Sequence, residues 1–306
     1  MSQKKILITN DDGINAPGIE LLINAAKRIS NDITIIAPER EQSGRSQAMS
    51  LSDIIRLREI DVNIFSISGT PTDCVMLAIK QLMKDNKPDL ILSGVNRGQN
   101  LADDINYSGT IGAAMEGAIH NIKSIAFSQV FNIHNKGLDA FQATKKNLDR
   151  TLDFVLDLDY PDNIVLNINF PDIFENNLNH RFTRQGKRDI PAHTMEERTD
   201  PRGQKYYWIG FKRAEGGMHD GTDLDDGYAQ ATLSNLQKLW KRPVHVATIK
   251  GERSVLLTFD GKDMILYFNI NMFFLKSSHS NLESVFHLFF FDYIMWWIGI
   301  FRVAMN

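Results

Sequence analysis

The chain opens with a short apolar run, Ile6-Leu7-Ile8, that stops abruptly at Thr9-Asn10-Asp11-Asp12-Gly13. Similar runs recur at Ile33 to Ala37, Leu90 to Leu92 and Ile125 to Phe127. Brief, unalternating runs of this kind predict strands covered on both faces. Helical spacing fills the intervals between them. Pro17 suits the first turn of a helix with Ile19, Leu22, Ile23, Ala26 and Ile29 on one face. A second helix is predicted to start at Thr72 or Asp73 as its cap and to bury Val75, Ala78, Ile79 and Leu82. A third follows Ser108, with Ile111, Ala114, Met115, Ala118 and Ile119 inward. Strands alternating with helices predict an α/β fold with a mainly parallel sheet.

Farther along, a helical stretch from Gly137 to Leu158 precedes a strand-like run from Ile164 to Phe170. The chain then turns polar from Arg181 to Gly203, the character of a solvated arm or an interface element. Its last fifty or so residues differ again: nine of the 18 phenylalanines fall between Phe259 and Phe301, and Trp296-Trp297 lie in the run Val285 to Phe301. That run is near the short limit for a membrane span and carries His287 and Asp292. A central Asp costs about 2.5–3.5 kcal/mol on insertion, which weighs against spanning or other membrane contact by the tail. A buried or subunit-packing helix, or a non-native reading frame, remains for this stretch. The expected organisation is a core over residues 1–180, an arm and association region over 181–232, and an aromatic-rich extension over 233–306.

Composition narrows the partners. The chain has 306 residues and a formal net charge of -3, with 34 Lys and Arg against 37 Asp and Glu. This balance gives no general attraction to a nucleic acid polymer, so an anionic substrate needs a local site. The single cysteine, Cys74, cannot form an intrachain disulfide; it fits a reducing compartment and is read as a small buried residue. Met1 to Lys5 and the short run behind them lack the pattern of a secretory leader, so the expected location is cytoplasmic.

Candidate chemistry sits where strands end. Open α/β sheets bind ligands at the carboxyl ends of their strands, so Asp11 and Asp12 are candidates for holding a divalent cation, against the plainer reading of a polar turn. Both reach one ion only if the backbone bends at that point, which Gly13 eases. Leu90-Ile91-Leu92-Ser93-Gly94-Val95-Asn96 delivers Asn96, a neutral hard oxygen donor. Ser43, following the run Ile33 to Ala37, is read as a third oxygen at a strand end. Tyr107-Ser108-Gly109-Thr110 precedes the third helix and offers free N–H groups, hydroxyls and a positive dipole end, which suit a phosphate; simple capping by Ser108 is the alternative. No Walker-type Gly-x-x-x-x-Gly-Lys-Ser/Thr and no Gly-x-Gly-x-x-Gly after a strand is present, which points to a phosphate monoester. His120 and His219 are read as surface or core residues.

Several ordered motifs together closely resemble the stationary-phase survival protein SurE family. They are Asn10-Asp11-Asp12-Gly13 with Ala16-Pro17-Gly18, Ala37-Pro38-Glu39-Arg40 with Ser43-Gly44, Ser68 to Val75, Ser93-Gly94-Val95-Asn96 and Tyr107 to Thr110. The resemblance is tight over residues 4 to 130. It continues loosely through Leu166-Asn167-Ile168-Asn169, Tyr207 to Gly210 and Gly221-Thr222-Asp223.

This resemblance implies a Rossmann-like three-layer core and a metal-dependent phosphatase acting on nucleoside 5′- or 3′-monophosphates. It implies one divalent cation per subunit, Mg²⁺ or Mn²⁺, with Asp11, Asp12, Ser43 and Asn96 as ligands, and Asp11 and Asp12 carrying the catalysis. It places Gly44, Ser108, Gly109 and Thr110 at the phosphate, makes the segment Arg181 to Gly210 an extended hairpin, and implies a homodimer or homotetramer. The sequence departs from the pattern at Arg45 and Gln47, where a small residue and a His or Asn are expected, and at Gly227-Tyr228, which follows Asp223 at an unusually short spacing. Nothing after Thr232 resembles the family. Two other readings stand beside this one: a phosphatase with Asp11 as covalent nucleophile, and a catalytically impaired nucleotide-binding or oligomeric scaffold.

Overall fold

The computed structural model describes residues 4–131, 139–172, 180–188, 193–211, 222–226 and 231–235, together with four strands between residues 244 and 277. The chain divides into two compact units, Met1–Leu236 and Gln237–Asn306.

In the first unit the strands are β1 (Lys5–Thr9), β2 (Asp32–Pro38), β3 (Leu57–Asp61), β4 (Ile64–Ile67), β5 (Leu90–Arg97), β6 (Lys123–Gln129), β7 (Val165–Phe170), β8 (His180–Thr183), β9 (His193–Thr199), β10 (Lys205–Phe211) and β11 (Ala231–Asn235). Nine of them form one sheet in the order β3-β4-β2-β1-β5-β6-β7-β11-β8. The run from β4 to β7 is parallel throughout. Strand β3 is antiparallel to β4, and β11 is antiparallel to β7 while pairing in parallel with β8.

Alternation along β1 explains the three layers. Ile6 and Ile8 face one cluster, shared with helix α1 (Pro17–Lys27) through Ile19, Leu22 and Ala26, and with α4 (Gln142–Leu156) through Leu148, Leu152 and Val155. Leu7 faces the opposite cluster, with Cys74 and Val75 of α2 (Pro71–Leu77) and Ala113 of α3 (Gly109–Ile119). All three β1 side chains are fully buried. A period of two therefore splits one apolar run between two cores, and each such side chain contributes about 1.5–3 kcal/mol by its removal from water.

Three details differ from the sequence reading. The cap of α2 is Thr70, with Thr72 and Asp73 inside the first turn. Pro71 takes the first helical position, where its missing N–H costs nothing, and Thr70 and Asp73 form a reciprocal capping box. Ile119 is 63% exposed, unlike Ile111, Ala114 and Ala118. At 100° per residue it stands about 80° from Ile111, off the buried stripe. Strands β3 and β4 had no counterpart in the hydrophobic pattern, because β3 is exposed along its whole length and β4 is only four residues long.

The polar stretch beyond Arg181 contains the antiparallel hairpin of β9 and β10, paired from His193–Phe211 to Thr199–Lys205. Its Met195, Tyr206, Tyr207, Trp208 and Ile209 are exposed. In the second unit, β12 (Val244–Ile249), β13 (Glu252–Phe259), β14 (Lys262–Asn269) and β15 (Met272–Ser277) form an antiparallel sheet in sequence order. The run Val285 to Phe301, His219, Gly221 and Gly227-Tyr228 lie outside the described residues. Among the described residues, no helix is long and apolar enough to cross a membrane.

Gly18 marks the closest approach of α1 to the sheet. A Cβ at this position would come to 1.9 Å from the Val95 carbonyl oxygen. Because the obstacle is backbone, no rotamer relieves it, and Gly18→Ala is expected to cost about 2–3 kcal/mol in urea denaturation.

Candidate metal and phosphate site

The site begins where β1 ends. Thr9 is its last residue, and Asp11 and Asp12 occupy the bend that follows. Buried Asn10 braces this bend: its Nδ2 donates to the Gly13 carbonyl (2.8 Å), and the Gly13 N–H donates back to its Oδ1 (3.2 Å). Gly13 has φ +100°, in the region that side chains resist. The adjacent carboxylates thus leave the strict alternation of a strand, as the sequence reading required.

Asp11 is nearly covered, 3% exposed, and lies against the start of α3. The Thr110 hydroxyl donates to its Oδ1, and a Cβ on Gly109 would fall 2.9 Å from the Asp11 Cβ and 3.0 Å from its Oδ2. Gly109 is therefore needed for packing against Asp11. The Ser93 hydroxyl donates to the Thr110 carbonyl (2.8 Å), tying the helix start to β5. Ser108 caps α3 by accepting the Ile111 N–H (3.2 Å). Burial, with the neighbouring charge of Asp12 next, pushes the Asp11 carboxyl up to about 6 against the opposing bond from Thr110. Asp12 is also raised, first by burial, with Glu41 adding repulsion; the Arg97 N–H, donating to its Oδ2 at 3.1 Å, opposes the rise.

The other two predicted ligands arrive on stitched segments. The Gln42 N–H donates to the Asp11 carbonyl (2.7 Å), which brings the neighbouring Ser43 to the bend. Ser43 lies in a loop five positions beyond the end of β2, not at the strand end, and its hydroxyl donates to Glu41 (2.9 Å). Asn96 sits within β5, beyond a register shift between Ser93 and Asn96. Its Nδ2 donates to the Gly98 carbonyl (2.9 Å), a bond that engages the nitrogen and not the amide oxygen. Gly44 is exposed, with φ +77° and open space around it. The segment after it is docked on α3: the Ser46 N–H donates to the Tyr107 carbonyl (2.9 Å) and Gln47 to Glu116 (3.3 Å), while Arg45 is exposed. His120 pairs with Glu116 at 3.2 Å at the far end of α3, about 16 Å of helix from the site.

Among the described residues, no three His, Cys, Asp or Glu side chains gather as a metal cluster. A cation here would need neutral donors beside the two acids, and Ser43 and Asn96 are of that type. All four are hard oxygen donors by type, and the two carboxyls are raised mainly by burial, with neighbouring negative charge adding to it. The residues therefore fit a divalent ion that accepts oxygen ligands.

A cleft of about 600 Å³ opens beside them, lined by Asp12, Asn15, Arg40, Ser43, Arg97 and Phe131 among others. The sequence model of the family described as Survival protein SurE matches residues 6–192. This chain belongs to the SurE family.

The 5′-nucleotidase SurE of Phenylobacterium zucineum is 47% identical over 228 residues, spanning 72% of this chain and 85% of that protein. The 5′-nucleotidase SurE of Caulobacter vibrioides is 42% identical over 252 residues, spanning 81% and 95%. The crystal structure of the SurE protein from Aquifex aeolicus superposes with a TM-score of 0.62 at 34% identity, covering 76% of this chain and 92% of that one.

Several supporting residues of the SurE site had no role assigned from sequence. Asn10, Glu41 and Arg97 are three. Asn167 and Asn169 are two more: on β7 they sit two positions apart, on the face opposite Leu166, Ile168 and Phe170. Asn169 accepts the Asn100 N–H (2.8 Å), and Asn167 and Asn169 both donate to the Asn100 carbonyl (2.8 and 3.2 Å). These amides clamp the loop leaving Asn96. Their signal was legible as amides recurring at strand spacing in an otherwise apolar run. Asp223 does similar work elsewhere, accepting N–H bonds from Ala102 and Gly186 at 3.0 and 2.7 Å.

Two outcomes follow from this geometry. In the metal-free protein, the elevated Asp11 carboxyl leaves stability intact below pH 4 and removes it as pH rises through about 6. Asp11→Asn is thus expected to melt higher than the parent at pH 8 in chelator, by on the order of 2 kcal/mol, and to lose that advantage at pH 4. Asn169→Ala strands the buried Asn100 N–H and is expected to lower unfolding free energy by about 1–3 kcal/mol in urea titration.

Proposed function

We propose that this SurE chain is a metal-dependent 5′-nucleotidase, hydrolysing nucleoside 5′- and 3′-monophosphates to nucleoside and phosphate. The observation that carries the reading is the packing of the Asp11–Asp12 bend against the N-terminus of α3, with Asp12 also lining the cleft. Asp11, Asp12, Ser43 and Asn96 would hold one divalent cation, Mg²⁺ or Mn²⁺. Such a cation, when bound, supplies positive charge to phosphoryl oxygens and acidifies a coordinated water.

The chain's own groups do the rest. Thr110 fixes the Asp11 carboxylate, and the Arg97 N–H fixes that of Asp12. The first turn of α3 gives the Thr110 N–H to Asp11 and the Ile111 N–H to Ser108, and offers the Gly109 N–H and a dipole end to the phosphate, with Gly44 on the segment that docks at Tyr107. Water adds to phosphorus, the ester P–O bond breaks, and the departing nucleoside oxygen takes a proton. Attack by Asp11 itself is disfavoured because its carboxylate is buried and engaged by Thr110.

The exposed aromatic and apolar side chains on both faces of the β9–β10 hairpin support self-association into a dimer or tetramer through this arm. The single cysteine, Cys74, is buried and free, which is compatible with a reducing cytoplasm.

Purified protein is expected to release phosphate from nucleoside 5′- and 3′-monophosphates with Mn²⁺ or Mg²⁺, and to stop on chelation. Asp12→Asn is expected to lower kcat/KM by about a hundredfold or more. Metal-independent turnover, or an unaffected Asp12→Asn, would contradict the reading. Replacing Trp208 and Ile209 together by Ser is expected to reduce the mass measured by light scattering; an unchanged mass would remove the arm from assembly.

A further inference from the structure

Arg97 occupies an unusual position in the cleft. Its N–H holds Asp12 and its positive charge also acts on that carboxyl, while its guanidinium lies 4.6 Å from the centroid of the Phe131 ring. It also lines a second cavity of about 260 Å³, which shares Pro17, Arg97 and Phe141 with the larger cleft and ends at Asp139 and Lys145. The guanidinium thus stands at the junction of the two cavities, exposed, with one face on an aromatic ring.

We propose that the Arg97–Phe131 stack is the platform for the nucleobase, and that it makes the enzyme selective for nucleotides over phosphate esters without a base. The inference rests on the phosphatase reading for the position of the phosphate. With the phosphate at Asp11, Asp12 and the start of α3, the remainder of the substrate enters the cleft beside Asp12. A base is flat, and every base has a π-face that a guanidinium plane or a phenyl ring can cover. Phe131 holds the planar group of Arg97 in register, so less rotational freedom is lost when a base settles on it. Because Asp12 is held by the residue 97 backbone, replacing the side chain leaves that bond available.

The test compares adenosine 5′-monophosphate with ribose 5-phosphate, which carries the same sugar and phosphate and lacks the base. Full-length protein with Mn²⁺ is expected to prefer the nucleotide in kcat/KM. Phe131→Ala is expected to reduce that preference by about tenfold, through KM more than kcat, with ribose 5-phosphate little changed; Arg97→Ala, which also removes a charge acting on Asp12, is expected to lower turnover of both and the preference by a similar tenfold. Arg97→Lys keeps the charge and loses the plane, so it is expected to share the lost preference of Arg97→Ala.

Equal wild-type efficiency on the two substrates would overturn the platform. So would equal losses on both in the variants, or full rescue by Lys, which would make Arg97 a simple charge for the phosphate. If the wild type turns over neither ester, the phosphatase reading fails. The platform is then decided by calorimetric titration of the same two compounds: selective binding lost in Arg97→Ala supports it, and unselective binding or none overturns it.

Discussion

Two neighbouring carboxylates at the end of a buried strand repel each other and have lost much of their water, and the surrounding fold is arranged to tolerate this. Asp11 is held by the Thr110 hydroxyl and the first turn of α3, and Asp12 by the Arg97 N–H. Neither bond cancels the cost, since both carboxyls remain raised above their ordinary range. That residual cost is what a bound cation would relieve: a site already neutral would gain little from binding one.

The same constraint organises the loops. The bend cannot stand alone, so the chain around it is fastened by backbone bonds: Gln42 to Asp11, Ser46 to Tyr107, and Ile14 to Pro38 at 2.9 Å. On the other flank the amides of β7 grip Asn100, two strands away from β5. Buried polar groups of this type are costly unless fully satisfied, and their mutual satisfaction keeps the exit of β5 in a single conformation. Chemistry on loops is in this way carried by a rigid parallel sheet.

Much of the fold was legible. The runs at Ile6, Ile33, Leu90 and Ile125 became β1, β2, β5 and β6 because a strand covered on both faces must be apolar at every position. Strand β3 was hidden for the converse reason: exposed along its length, it carries no burial pattern. Misplacing the cap of α2 arose from reading Thr72-Asp73 as a start, when Pro71 already fixes the first helical position. At the site, the acids, Ser108 and Asn96 could be named from strand ends and motifs. The brace of Asn10 and the pressure of Glu41 on Asp12 could not, because each depends on where a side chain arrives after the backbone has turned.

The chain by itself therefore determined which segments are buried, that acids and amides stand at the ends of apolar strands, and which family those motifs resemble. These are local properties, set by periodicity and by the residues that a turn or a helix start requires. Tertiary structure alone decided that Thr110 faces Asp11, that Gly109 must lack a side chain, and that Arg97 leaves its backbone on Asp12 while its guanidinium rests on Phe131. The physical reason is distance along the chain. Asp11 and Thr110 are 99 residues apart, and only the parallel sheet, with helices packed on its two faces, brings the bend and the helix start together.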